Sequence, residues 1–223
     1  MYYFEGYSLR KTILHKFKEG KMILQPEKTK FVKNKAKEVN DISLQYQLAH
    51  AAFACNRLLE HDFNEYCKKR RSELKEEAKT ASKESLQTIN EKLDELQKPY
   101  QIYIDYLNDI PEDGARVVRI PLSNRTQLVI NLPKRILNEA VDPVTKWYKN
   151  PEAIKSLRKK TAHELGHIVL NTEEIFKSYG TQGTKDIIGE DEEAAKIFAK
   201  TLLDLRKERN EKIREDPNLI DAF

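Results

Sequence analysis

Apolar residues recur at three- and four-residue steps over long stretches of this chain, and this period restricts the fold more than any other feature of the sequence. Leu44, Leu48 and Leu59 belong to the first long run with this spacing. Asp41, just before the run, is a residue type that often caps a helix N-terminus. The pattern therefore predicts an amphipathic helix that begins after Asp41 and extends to about Tyr66.

A stretch rich in Lys, Arg and Glu follows over residues 68–95. Leu74 and Leu86 preserve a narrow apolar seam within it, which is typical of helices paired in a hairpin. The basic run 68–71 is diluted by nearby glutamates, which favours a solvated helix face over a nucleic-acid site. We predict a helical hairpin here and one further helix over residues 100–107.

Two short runs rich in β-branched residues mark a change of character after residue 110. They cover residues 116–120 and 127–131 and are separated by turn-forming residues, so we predict two paired antiparallel strands. A long connection with three prolines is expected over residues 133–156. Helical periodicity then predicts a helix over residues 152–169 and a last helix over residues 191–209.

These elements together predict an α+β protein that is mostly helical, in which a small sheet packs on the helix over residues 152–169. An N-terminal helical region is expected over residues 1–108, with the hairpin in it, and a second domain over residues 109–223. The chain has only 7 glycines, which argues against a many-turned all-β fold. Trp147, the only tryptophan, is expected to anchor a core.

The composition also restricts where the protein works and what it binds. No run of 18 apolar residues is present and the N-terminus shows no signal-peptide pattern, so we expect no membrane span and a cytoplasmic location. Two cysteines in 223 residues suit reduced thiols. A formal net charge of +4 made up of both signs is a weak indication of nucleic-acid binding, which we do not expect.

The sequence His163-Glu164-Leu165-Gly166-His167 fits the pattern H-E-x-x-H within the helix predicted over residues 152–169. Histidines four residues apart point the same way on a helix, so both imidazoles can reach one tetrahedral Zn²⁺. Glu164 would then contact the water at the metal and act as general base and general acid. Gly166 has a low helix propensity, but the lack of a side chain there lets another element approach closely.

Zinc in a catalytic site needs a third protein ligand, and the sequence offers four acids for it. Glu190, Asp191, Glu192 and Glu193 lie at the start of the last predicted helix. The helical wheel does not decide among them, and acids at a helix N-terminus also complement the helix dipole. We expect one Zn²⁺ per chain, although Mn²⁺ or Fe²⁺ can occupy similar ligands.

Residues 162–170, with the pattern A-H-E-L-G-H-I-V-L, and residues 192–203, with E-E-A-A-K-I-F-A-K-T-L-L, resemble the two motifs of the ImmA/IrrE family of zinc metallopeptidases. The resemblance covers roughly residues 110–205. It implies a zincin-like metallopeptidase core in which His163, His167 and Glu192 are the metal ligands and Glu164 is the catalytic residue. Family members are known to cleave repressors of the helix-turn-helix type, so the resemblance implies a repressor as the protein substrate.

Two other interpretations fit the same residues. The protein could be a metal-bound regulatory module that binds a transcription regulator without significant hydrolysis. It could also be a helical scaffold in which the motif match is accidental.

Overall fold

The computed structural model describes residues 24–46, 50–80, 82–95, 100–170 and 189–215. Within these ranges the chain forms six helices and one three-stranded sheet, which confirms the predicted mostly helical α+β class. The elements in chain order are α1 (Pro26–Gln45), α2 (Ala51–Thr80), α3 (Lys83–Glu95), β1 (Tyr100–Leu107), β2 (Arg116–Pro121), β3 (Thr126–Pro133), α4 (Lys134–Ala140), α5 (Pro151–Leu170) and α6 (Gly189–Glu215).

The predicted helix start after Asp41 was wrong, because Asp41 lies inside α1. Pro26 occupies the first turn of α1, where its missing N–H costs nothing, and it marks the true start. The helix ends at Gln45, and the backbone N–H of Tyr46, the C-cap residue, donates to the carbonyl of Ile42 at 3.1 Å. The apolar pattern resumes at Ala51 in α2, so one predicted helix corresponds to parts of two.

The three strands are ordered β1-β3-β2, with β3 in the centre. The predicted antiparallel pair is confirmed as β2 and β3, with Val118 opposite Val129. Residues 100–107 were predicted as helix but form β1, which pairs parallel to β3. Tyr100 is buried while Tyr103 is exposed, and a run of aromatic and β-branched residues fits such a half-buried pleated surface.

The predicted long connection over residues 133–156 contains the short helix α4. Ile136 and Ala140 of α4 are buried against Ala153 of α5, which explains why this segment is not a plain loop. The loop that follows is built by Asp142, whose side chain accepts hydrogen bonds from backbone N–H groups. Trp147 in this loop is 78% exposed, so the expectation that it anchors a core was wrong.

One hydrophobic core connects the sheet with the long helices. The buried side of β3 contributes Leu128 and Ile130, and the helix α5 contributes Leu165. Phe198 of α6 and Val32 of α1 are also buried in this core. The helices α5 and α6 are therefore fixed against each other, and the sheet and α1 support them.

The N-terminal region contributes α2 and α3, which contact each other, and α2 also contacts β1. Both cysteines, Cys55 and Cys67, are buried in α2 as free thiols. Residues 1–23 of the predicted N-terminal region lie outside the described residues, and its boundary at residue 108 stays a prediction. In the part of the chain that the structure describes, a helix of the length and apolarity needed to span a membrane is not found.

Candidate metal centre

Two imidazoles of the H-E-x-x-H pattern meet on one face of α5, as the helical spacing predicted. The Nε2 atoms of His163 and His167 lie 3.1 Å apart, and the two rings are nearly perpendicular. The predicted helix over residues 152–169 is confirmed within one residue at each end, since α5 covers Pro151–Leu170. The helix backbone therefore holds both rings in register without help from any loop.

The third group comes from the first turns of α6. Oε2 of Glu192 lies 3.2 Å from Nε2 of His163, and Oε1 lies 3.3 Å from Nε2 of His167. A tetrahedral zinc with bond lengths near 2.0–2.1 Å requires ligand atoms about 3.3 Å apart. The separation of the two Nε2 atoms, and the distance from each of them to the nearer Glu192 oxygen, are close to this ligand–ligand distance, and the group could hold a metal ion.

The structure separates Glu192 from the other acids that the sequence offered. In the described part of the chain, only Glu192 joins His163 and His167 in a group whose donor atoms all lie within 4.8 Å. Asp191 instead forms an ion pair, with its Oδ1 4.0 Å from the Nζ of Lys28 on α1. The side chain of Glu190 lies outside the described residues.

Gly166 explains how α6 comes this close to α5. A Cβ atom at this position would lie 3.1 Å from Cα and 3.2 Å from the carbonyl oxygen of Ala195, and 3.2 Å from the ring of Phe198. The expected close approach at the glycine is therefore observed, and it occurs one turn of α6 beyond Glu192. The small residue at 166 brings the carboxylate of α6 within reach of the imidazoles of α5.

Replacing Gly166 by alanine is expected to lower both stability and metal affinity. The added Cβ must push α5 and α6 apart, and overpacking of this kind typically costs about 1–3 kcal/mol. The higher helix propensity of alanine offsets about 1 kcal/mol of this cost. We expect a net loss of about 1 kcal/mol in the free energy of unfolding, measured with urea in zinc-free buffer, and a lower zinc affinity in titrations. A gain in stability would show that the two helices are not in tight contact here.

The imidazoles are held in the form that a metal requires. Burial lowers the pKa of His163 although the carboxylate of Glu192 opposes this effect. Burial also lowers the pKa of His167, and the neighbouring His163 adds to it. Both effects favour the neutral ring, whose Nε2 lone pair can bind a metal. Nδ1 of His167 is buried and has no hydrogen-bond acceptor among the described residues.

Glu164 lies beside this group without joining it. The residue is 6% exposed, and burial together with the charge of Glu192 raises its pKa to about 7, against the effect of Lys160. A carboxyl group with a pKa near neutrality can both accept and release a proton. Glu164 is therefore a buried carboxyl group with a raised pKa next to a candidate metal centre.

A groove with a volume of about 1030 Å³ opens at Glu164 and runs between α5 and α6; we call it the α5–α6 groove. Residues 113–115, which precede β2, form its remaining wall near Glu164. Seven of its lining residues are Lys or Arg and four are Asp or Glu. Sequence reasoning missed this basic surface, although the i,i+4 pairs Lys155 with Lys159 and Lys196 with Lys200 were a signal for it.

Comparisons of this chain with protein families, with curated proteins and with solved structures found no match. The structure itself shows a group formed by His163, His167 and Glu192 on two helices. This arrangement is consistent with a zinc site of the H-E-x-x-H type.

Proposed function

We propose that this protein is a zinc-dependent endopeptidase. His163, His167 and Glu192 would hold one Zn²⁺ per chain, and Glu164 would be the catalytic acid–base residue. The observation that carries the proposal is the group of two imidazoles and one carboxylate next to a buried carboxyl group that faces a groove. The two Nε2 atoms lie 3.1 Å apart, and each lies 3.2 or 3.3 Å from one oxygen of Glu192. Three protein ligands leave the fourth position of a tetrahedral zinc open, which is typical of catalytic rather than structural sites.

The chain's own residues account for the proton transfers that peptide hydrolysis needs. Zinc, when bound, would polarise the scissile carbonyl and lower the pKa of water. A carboxylate oxygen of Glu164 accepts the proton that the attacking water loses, and then donates it to the nitrogen of the leaving amine. Burial favours the protonated form of this carboxyl group, which supports its uptake of the proton. The burial of Glu164 also limits competition from bulk water for this proton.

The sheet offers a place for an extended substrate. Strand β2 lies at one edge of the sheet, and residues 113–115, which line the α5–α6 groove, lead directly into it. An extended peptide can add to such an edge through main-chain hydrogen bonds. We propose this mode of binding, and a transcriptional repressor of the helix-turn-helix type as the substrate, as the resemblance to the ImmA/IrrE family implies.

Hydrolysis can be tested with the zinc-loaded protein, a purified helix-turn-helix repressor and unfolded casein as a general substrate. The reaction is run in ¹⁸O-labelled water and the fragments are analysed by mass spectrometry. We expect fragments with one ¹⁸O in each new carboxyl group, and none with the Glu164→Gln variant. Tight binding of the repressor with no fragments, while zinc is retained, would instead support a regulatory module that binds without hydrolysis.

A further inference from the structure

The walls of the α5–α6 groove are two helix faces that carry mainly positive charge. On α5 the face includes Lys155 and Lys159, and on α6 it includes Lys196 and Lys200. In the described part of the chain, no carboxylate lies within 4.0 Å of the charged nitrogens of Arg158, Lys159, Lys160, Lys196 or Lys200. Among the described residues, the cations in the central part of the groove therefore have no close carboxylate partner, and Asp113 and Glu164 act on Lys160 only at longer range.

The charged surface of α2 is different and serves as an internal comparison. Arg70 pairs there with Glu73 at 2.7 Å and with Glu77 at 3.2 Å, and Lys79 pairs with Glu76 at 2.7 Å. Those side chains neutralise one another along a single helix, as is common on solvated helix faces. In the ranges that the structure describes, the centre of the α5–α6 groove lacks such pairs, so its unpaired charge does not simply follow from the high content of charged residues.

The direction and length of the groove suit an extended peptide. His163 and Glu192 mark the end at the candidate metal centre, while Pro151 and Lys207 line the far end. Pro151 lies twelve residues before His163 on α5, and Lys207 lies fifteen residues after Glu192 on α6. At the helical rise per residue, these separations correspond to about 18 and 22 Å. About six residues of extended chain cover this distance. Ile154 and Leu203 are apolar positions in the same walls.

We propose that the α5–α6 groove binds an acidic segment of the peptide substrate that lies next to the scissile bond. This inference rests on the proposed peptidase function and names its substrate class. Carboxylates of the segment would lie near Lys159 and Lys200, and apolar side chains near Ile154 and Leu203. Asp204 and Asp113 in the same groove favour a peptide over a nucleic acid, since a phosphate on every residue of the ligand would meet these carboxylates.

The test uses the zinc-loaded full chain and two fluorescent eight-residue peptides. One peptide alternates Glu and Leu, and the other has Gln in place of every Glu. Binding is measured by fluorescence anisotropy in about 50 mM salt, where surface charges are only partly screened. The wild type is compared with the double variant Lys159→Glu/Lys200→Glu. The matched control is Lys33→Glu/Lys37→Glu, which changes the charge equally at two exposed lysines of α1.

We expect the wild type and the α1 control to bind the acidic peptide about tenfold more tightly than the Gln peptide, because several exposed ion pairs each contribute a little. The groove variant should lose this preference. Equal binding of both peptides by the wild type, or an equal loss in the α1 control, would overturn the inference. If single-stranded DNA bound the groove more tightly than the acidic peptide does, and this binding depended on Lys159 and Lys200, the inference would be overturned too.

The binding assay separates this inference from the proposed function. An acidic preference without cleavage of any substrate would leave the groove assignment in place and remove the peptidase. Cleavage of casein with no preference between the two peptides would support the peptidase and remove the groove assignment. Neither peptide has to be a substrate for these outcomes to be distinguished.

Discussion

Replacing Glu164 by glutamine is expected to lower kcat for peptide hydrolysis by about 10²- to 10⁴-fold, the usual contribution of a positioned acid–base group. Glutamine has almost the same size as glutamate but cannot accept a proton, so the substitution removes the chemistry and keeps the shape. The side chain is buried beside the candidate metal centre and does not belong to the donor group. Zinc content and KM should therefore change little, and steady-state kinetics with elemental analysis of the same samples tests this.

A matched control for this substitution is Glu208→Gln, which makes the same chemical change at an exposed position of α6. It should leave kcat and zinc content at wild-type values. If Glu164→Gln retained more than half of the wild-type kcat with zinc bound, Glu164 would not be the general base. A loss of zinc in that variant would instead show that Glu164 belongs to the metal ligands.

Replacing Glu192 by glutamine is expected to weaken zinc binding at least about 100-fold. Even residues that only support ligands typically account for 10- to 100-fold in metal affinity, and Glu192 supplies a negatively charged donor directly. The variant should also lose the rise in Tm that zinc gives the wild type, because a ligand that binds the folded state stabilises it by mass action. Competition with a chromophoric chelator and thermal melts with and without zinc measure the two effects.

The neighbouring acids of α6 provide the controls for this experiment. Asp191→Asn and Glu193→Gln make equivalent changes on either side of Glu192, and both should keep wild-type zinc affinity. The result that would contradict the assignment is a tight site in Glu192→Gln together with a weak one in either neighbour. Such a result would move the third ligand by one position along α6.

The two helices of the candidate site could be predicted closely from the sequence. Both predicted ranges lie within α5 and α6, because a period of 3.6 residues over twenty residues is a strong local signal. The strands β2 and β3 were predicted for a similar reason, since short β-branched runs separated by turn residues tend to pair. Local patterns were sufficient wherever the element is long or its partner is adjacent in the chain.

Other elements could not be predicted because distant parts of the chain determine them. Residues 100–107 form a strand because β3 pairs with them in parallel, and that partner begins at Thr126. Asp41 is a residue type that often caps a helix, but α1 continues through this position. The start of α1 at Pro26 was not recognised from the sequence. Helix α4 is short, and its burial against Ala153 is what stabilises it. In each case tertiary packing outweighs the local preference.

In the candidate site, too, some residues follow from a local sequence pattern and others depend on contacts between distant parts of the chain. His163, Glu164 and His167 follow from one local motif, whereas the acid on α6 stayed open until the helix contact was known. The close approach at Gly166 selects Glu192, because it brings this turn of α6 over the imidazoles. The basic groove was missed since its walls belong to two helices whose facing sides are decided only by that contact.

The measurement that tests the account most directly is the zinc content of the purified chain after loading with zinc and removal of the excess, determined by elemental analysis. The same procedure is applied to the double variant His163→Ala/His167→Ala. The account predicts about one zinc per chain in the wild type, as a single three-ligand site requires, and almost none in the variant. No zinc in the wild type, or equal zinc in both proteins, would contradict the metal centre and with it the proposed peptidase.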